Sequence, residues 1–232
     1  MLNYYMDNKL RELNEFGYTI LPNYFDKELC NTIKKQMDNS IKTPHDGLFI
    51  KYAPLDENMG GDIRIFGFEK ICDKLINDKF IFDIVKQYSN IFSKQIFKCC
   101  SIAGKLEYDS NFTKNSGGNW HRDSDFFEIK VILYLSDVNK DNGPFQIFPN
   151  TKKKDIGDNF SNTRIGKNYP EYINKNINNK KDILGSAGTV IIANTANIHR
   201  GMPIKSGFRY SLTNYYMPSL SRVNSFKNKF KI

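Results

Sequence analysis

An all-β core with flanking α-helices is the fold class this chain predicts, and three observations predict it. Ile96 to Tyr108, Ile129 to Leu135, Val190 to Ala193 and Arg209 to Tyr216 are rich in β-branched and aromatic residues and read as strands. Turn formers such as Asp141-Asn142-Gly143-Pro144 separate them. Helical spacing of apolar residues falls outside that region, within residues 1–44 and 70–90.

Taken in order, Leu10, Leu13 and Phe16 share one face of a first helix, and Gly17 stops it as a C-terminal cap should. Tyr18 to Leu21 is a short strand. Asp26 can cap a second helix running to about Ser40, with Leu29, Ile33 and Met37 facing inward and Cys30 beside them. From Thr43 to Phe68, Pro44, Gly47, Pro54, Gly60, Gly61 and Gly67 interrupt every apolar run, so loops and irregular strands are expected, with His45 in a surface or packing role. Ile71, Leu75, Phe80, Ile84, Val85 and Tyr88 place a helix over 70–90. Thr113 to Gly118 is a polar turn. Ile129 to Leu135 and Phe145 to Phe148, joined through the turn at 141–144, read as a hairpin.

The segment from Lys152 to Asp182 is rich in Asn and Lys and poor in apolar residues, an insertion over one rim that reads either as a cover for a site or as a solvated loop of biased composition. Beyond Pro218 the chain is basic and expected to fray. The organisation is therefore one domain over 1–232, with helical support in 1–44, a β-core in 96–218 and a basic tail in 219–232.

The chemistry concentrates in Trp120-His121-Arg122-Asp123, His199 and Arg209. If residues 119–124 are extended, the period of two turns the His121 imidazole and the Asp123 carboxylate to the same side, and Trp120 to the other, the core. His199 follows the buried run from Gly188 to Asn194. Two histidines and one carboxylate on one face of a metal are the ligand set of non-haem Fe(II) oxygenases. The competing reading is an imidazole hydrogen-bonded to Asp123 and an ordinary loop histidine. Arg209, Ser211 and Thr213 share one side of an alternating strand, where an arginine beside hydroxyls suits a two-point fork for a carboxylate.

These segments resemble the phytanoyl-CoA dioxygenase (PhyH-like) family of Fe(II)/2-oxoglutarate-dependent oxygenases over most of the chain. The resemblance runs from NEFGYTILP at 14–22 through WHRD at 120–123 and DNGPFQIFP at 141–149 to IHRGMPIKSGFRYSLTNYY at 198–216. It implies a double-stranded β-helix, the jelly-roll or cupin-like architecture, of about eight strands. It also implies iron ligands His121, Asp123 and His199, and a 2-oxoglutarate anchor at Arg209 with Ser211 beside it. The implied reaction uses Fe(II), 2-oxoglutarate and O2 to hydroxylate or otherwise oxidise a C–H bond of a small metabolite, with release of succinate and CO2. The chain departs from the family at Pro149-Asn150-Thr151-Lys152, where Pro-Gly-Ser-His is usual. A cupin-like metal-binding protein or isomerase without 2-oxoglutarate turnover is the alternative.

Composition narrows the field further. With 232 residues and 40% hydrophobic content, the chain can bury a substantial core in one domain. No run approaches a membrane span and no secretory leader is visible, so a cytoplasmic protein without membrane partners is expected. Cys30, Cys72, Cys99 and Cys100 lack metal-type spacing and read as reduced, buried thiols. The net charge of +9 is spread out apart from Lys152-Lys153-Lys154 and the tail. Nucleic acid is therefore not expected as a partner, and a small anionic substrate is the better use of the charge.

Overall fold

The computed structural model describes residues 2–44, 48–53, 62–68, 77–110, 118–125, 127–152 and 170–230. Helix α1 (Leu2–Phe16) ends where expected, because Gly17 adopts φ +80° and its N–H closes onto the Leu13 carbonyl at 2.9 Å. Strand β1 (Tyr18–Leu21) follows, then α2 (Lys27–Lys42), capped by Asp26 through the Leu29 N–H at 2.7 Å and burying Cys30, Ile33 and Met37. Helix α3 (Lys79–Ile91) is capped by Asp78 and buries Ile81, Ile84, Val85 and Tyr88. The start of the helix expected over 70–90, at Ile71 and Leu75, lies outside the described residues. So do His45, most of the turn at 113–118 and the greater part of the insertion, 153–169.

The core is antiparallel. Strands β2 (Phe49–Ala53), β3 (Asp62–Phe66), β4 (Phe97–Glu107), β5 (Ile129–Tyr134), β8 (Val190–Asn194) and β10 (Phe208–Met217) join β1 in one sheet of order β1-β8-β5-β10-β4-β3-β2. Strands β6 (Phe145–Ile147), β7 (Lys181–Ile183) and β9 (His199–Gly201) form a smaller sheet, β7-β6-β9. The larger sheet packs its two faces differently. Leu21, Ile65, Ala103, Val131, Leu133, Val190, Ile192 and Leu212 meet the apolar faces of the three helices. The opposite face turns Ile132, Tyr134, Ile191 and Ala193 onto Phe145, Ile147 and Ile183 of the smaller sheet. This second face is the interior, and it carries the site.

Three expectations change. Residues 49–53 and 62–66, in a stretch expected to be loops and irregular strands, pair as β2 and β3 in register from Phe49 opposite Phe66 to Ala53 opposite Asp62, and extend the sheet edge. Glycines flank these strands and do not break them.

The hairpin expected between 129–135 and 145–148 does not form. β5 lies between β8 and β10, whereas β6 belongs to the other sheet. The connection crosses the sandwich, and Tyr134 makes the crossing: its hydroxyl donates to the Ile183 carbonyl at 2.8 Å and accepts from the Phe145 N–H at 3.0 Å.

The basic tail is a helix, α5 (Leu220–Phe230), with Val223 buried against Phe66, Cys99 and Ile102, and Phe226 beside Tyr215. A few contacts anchor it, and its overall composition conceals them. Short helix α4 (Pro170–Asn176) and a 3-10 turn lead into β7, so the end of the insertion is part of the smaller sheet.

Candidate functional site

Main-chain hydrogen bonds place the two histidines. His121 does not lie in a strand; it forms a single antiparallel bridge with His199, N–H to carbonyl at 3.0 Å in one direction and 2.9 Å in the other. The Asp123 N–H is tied to the Thr195 carbonyl at 3.0 Å. The side chains converge as the two-residue spacing requires: one donor atom from each of His121, Asp123 and His199 lies within 4.8 Å of the others. His121 Nε2 is 3.8 Å from Asp123 Oδ1, and His199 Nε2 is 3.2 Å from Asp123 Oδ2.

Each imidazole has its tautomer fixed from behind. His121 Nδ1 lies 2.7 Å from the Asn119 carbonyl and His199 Nδ1 lies 2.9 Å from the Asn197 carbonyl. A carbonyl only accepts, so both protons sit on Nδ1 and both Nε2 lone pairs face the common point. Burial, then the neighbouring His199 ring, pushes the His121 pKa down to about 4, so this imidazole is neutral at neutral pH. Burial alone would raise the Asp123 pKa, but Lys130 and then His199 bring it well below the usual carboxylate range. The result is a neutral His121 imidazole and an ionised Asp123 carboxylate, protonation states that suit a divalent cation.

His199 Nε2 and Asp123 Oδ2 are buried without a well-aligned hydrogen bond, although Lys130 Nζ lies 2.6 Å from that oxygen. Buried donor and acceptor atoms left in this way are costly in a finished core. Donors about 2.1 Å from a metal and at right angles to each other stand about 3 Å apart, so the pairs at 3.2 and 3.8 Å lie close to what an ion requires. The residues fit a metal ion.

Arg209, Ser211, Thr213 and Tyr215 alternate onto the inner face of β10, while Tyr210, Leu212 and Tyr216 bury toward the helices. Arg209 is half-buried, and the desolvation of its guanidinium pulls its pKa down. Gly143 makes room for it. With φ +80° it supplies the turn, and a Cβ there would stand 3.3 Å from an Arg209 guanidinium nitrogen and 2.9 Å from the Met202 carbonyl. Opposite Ser211 and Thr213 lie Gly104 and Ile102 of β4, so two hydroxyl side chains stand between Arg209 and Tyr215 along β10, and Lys130 pairs with Tyr215 across β5 and β10. Trp120 is core as expected, packed on Phe148 and Ile198 with the Arg200 guanidinium 4.3 Å above its ring.

The departure at 149–152 is milder than its letters suggest. Asn150 holds φ +56°, the left-handed conformation that suits glycine and that Asn tolerates better than most residues. Thr151 keeps the hydroxyl of the serine usual in the family: it donates to the Phe148 carbonyl at 2.7 Å and accepts from the Ile198 N–H at 2.8 Å, while its own N–H reaches Asn197 Oδ1 at 2.9 Å. This turn therefore braces the residues leading into His199. Lys152 is buried, its ammonium 5.4 Å over the Phe92 ring.

Two groups escaped the sequence reading. Lys130 was visible as the one charge in the apolar run Ile129 to Leu135. Glu128 is buried and takes a hydrogen bond from Arg222 at 2.7 Å, and Arg222 also donates to the Asp123 carbonyl at 2.9 Å. Nothing local in the sequence marks that 94-residue separation.

Comparison with solved structures gives the same fold at low identity. The carbocyclase SnoK from nogalamycin biosynthesis, a non-haem α-ketoglutarate-dependent enzyme, superposes with a TM-score of 0.70 at 12% identity, over 90% of this chain and 83% of that one. HygX from Streptomyces hygroscopicus, solved with nickel and 2-oxoglutarate bound, gives 0.63 at 13% identity over 92% and 87%. EctD from S. alaskensis, in its apo form, gives 0.64 at 16% identity over 90% and 75%. At such identities the likeness speaks for the jelly-roll fold alone. No curated protein sequence matches the chain. Family membership rests on the sequence itself: the model of phytanoyl-CoA dioxygenase (PhyH) matches residues 13–210, which hold all three convergent donors and Arg209. The chain belongs to the phytanoyl-CoA dioxygenase family.

Proposed function

We propose that the protein is an Fe(II)- and 2-oxoglutarate-dependent dioxygenase that hydroxylates, or otherwise oxidises a C–H bond of, a small molecule. The observation that carries this reading is the convergence of two tautomer-fixed imidazoles and an ionised carboxylate, with the desolvated guanidinium of Arg209 on the same interior face. His121, Asp123 and His199 hold the metal, Arg209 takes the distal carboxylate of 2-oxoglutarate, and Ser211 lies next to it on the strand. With iron and cosubstrate bound, the centre supplies the coupled oxidation: 2-oxoglutarate, O2 and a C–H group give succinate, CO2 and, for hydroxylation, an alcohol.

The chain's own part is positional. The carbonyls of Asn119 and Asn197 hold the Nδ1 protons and so aim both Nε2 atoms. Phe145 lies against the His199 ring at 5.6 Å and screens that side from water. Arg209 meets the carboxylate with a planar fork, which fixes its orientation as well as its charge. Proteins similar in structure include an epimerase and a carbocyclase as well as EctD and HygX. Within the proposed class, hydroxylation needs the fewest assumptions.

The test is anaerobic. Fe(II) and 2-oxoglutarate added to the purified chain should give a weak visible charge-transfer band at one equivalent of iron, and O2 should then release succinate. His199→Ala should remove the band and metal binding measured by equilibrium dialysis. A full-strength band in that variant overturns the ligand assignment, and metal binding without any response to 2-oxoglutarate returns the protein to a plain metal-binding jelly roll.

A further inference from the structure

Charges inside a protein cavity are expensive unless each has a partner, so pairing off those on the interior face identifies what a ligand must bring. The count rests on the proposed function and is made among the described residues. Arg64 is paired within its own strand, Nη2 to Asp62 Oδ2 at 3.2 Å. Arg209 is matched by the distal carboxylate of 2-oxoglutarate. The Fe(II) charge is matched by Asp123 together with the carboxylate at the keto-acid end of the cosubstrate. Glu128 and Arg222 satisfy each other at 2.7 Å. Arg200 faces away from the interior, on Trp120 and on Gln146 Oε1 at 2.6 Å.

One cation is left over once metal and cosubstrate are in place: Lys130. In the metal-free chain it leans on Asp123 Oδ2 at 2.6 Å, with the Tyr215 ring 5.0 Å from its ammonium. The metal takes up the charge of Asp123, so this interaction weakens when the metal binds. An ammonium has three donors, and one bond to the free oxygen of Asp123 leaves two. Lys130 is not sealed in, because its side chain keeps 13% of its surface accessible, close to the 16% of His121.

We infer that Lys130 is the recognition site for a single anionic group, a carboxylate or a phosphate monoester, on a small substrate whose oxidised carbon lies within a few bonds of that group. The reach follows from geometry: a group held by Lys130 sits beside Asp123 and so a few ångströms from the metal position. Tyr215 offers its ring to the aliphatic part next to the anion. Neutral or cationic substrates would leave the ammonium with only the metal-shared charge of Asp123 beside it.

The experiment uses Co(II)- and 2-oxoglutarate-loaded protein without O2, at constant ionic strength, and follows the visible Co(II) spectrum. The probes are acetate, methyl phosphate and, as the uncharged control, acetamide. Wild type should bind acetate or methyl phosphate saturably and acetamide not at all, and the better of the two anions distinguishes a carboxylate from a phosphate substrate. Lys130→Met should weaken that anion roughly tenfold or more, as expected for removal of one buried partner, while Lys130→Arg stays within threefold of wild type and 2-oxoglutarate affinity is unchanged in both.

Equal anion binding in wild type and Lys130→Met overturns the inference, since the anion is then on the metal itself. A fall in 2-oxoglutarate affinity without a change for the anion also overturns it, because Lys130 then serves the cosubstrate. Should Lys130→Met fail to fold, equal binding of acetate and acetamide by wild type has the same consequence. Failure of the underlying reading looks different: wild type then takes Co(II) but shows no spectral response to 2-oxoglutarate.

Discussion

Replacing Arg209 by Leu separates a 2-oxoglutarate enzyme from any other metal protein on this fold. The guanidinium is desolvated, and desolvation already works against its charge, so the leucine variant should fold at least as stably as the native chain. Iron affinity should hold as well, because Arg209 is not one of the three converging donors, His121, Asp123 and His199, proposed to hold the metal. Only the cosubstrate loses a partner. A planar fork makes two charge-assisted hydrogen bonds, each contributing about 1.5 kcal/mol or more. Loss of one member of a desolvated pair costs about 2 to 5 kcal/mol. The two figures overlap at about 3 to 5 kcal/mol, a weakening of roughly 100-fold to several thousand-fold at about 1.4 kcal/mol per decade. Arg209→Lys should recover part of this, since it keeps the charge and loses the fork. The assay is titration of 2-oxoglutarate against the charge-transfer band at fixed Fe(II), without O2. If Arg209→Leu binds 2-oxoglutarate within threefold of native, Arg209 is not the anchor, and the cosubstrate assignment loses its main support.

Arg222→Met should cost about 1 to 3 kcal/mol of stability, less than for a fully buried pair because Arg222 is part-exposed while Glu128 is not; the double variant with Glu128→Gln should regain some of it in urea unfolding, and a single variant as stable as native refutes the pairing. Asn150→Gly should leave the thermal midpoint nearly unchanged, whereas Asn150→Val should lose about 1 to 2 kcal/mol at φ +56°; equal midpoints for Gly and Val would show the turn to be adaptable. In metal-free protein the His121 pKa falls from 6.5 to about 4 on folding, so the unfolded chain holds more protons between those values and stability rises with pH across that window. The rise is on the order of 3 kcal/mol, and it should shrink in His121→Asn when midpoints at pH 4.5 and 7 are compared under chelator.

Where one stretch of chain carries the whole signal, the sequence was sufficient. Asp26, Gly17 and the spacing of Ile33 and Met37 describe two helix ends and a buried face without outside help. The same holds for the donors: His121 and Asp123 are two residues apart, and His199 follows a buried strand, so only their meeting needed a fold. Reading failed where partners are distant or patterns ambiguous. The turn chemistry at Asp141 to Pro144 is that of a hairpin, yet the chain uses it to cross between sheets, because Tyr134 finds its hydrogen bonds on Ile183 and Phe145. The tail looks like solvated basic residues because Val223, Phe226 and Arg222 are a minority within it. Lys130 stood in plain view, but its meaning depends on Asp123 lying 2.6 Å away.

The reciprocal main-chain bridge between His121 and His199 bears on which metal the chain will carry. Because two of the three donors are spaced by backbone hydrogen bonds, removal of the ion should leave the donor spacing largely intact. The site is therefore a preformed chelate with little ordering to do on filling, and it has no means of refusing a wrong cation by failing to assemble. Two imidazoles and a carboxylate bind late first-row ions more tightly than iron. Iron loading then depends on the supply of free metal where the chain folds, and protein purified in air should arrive carrying nickel, zinc or copper traces that must be stripped before activity is judged.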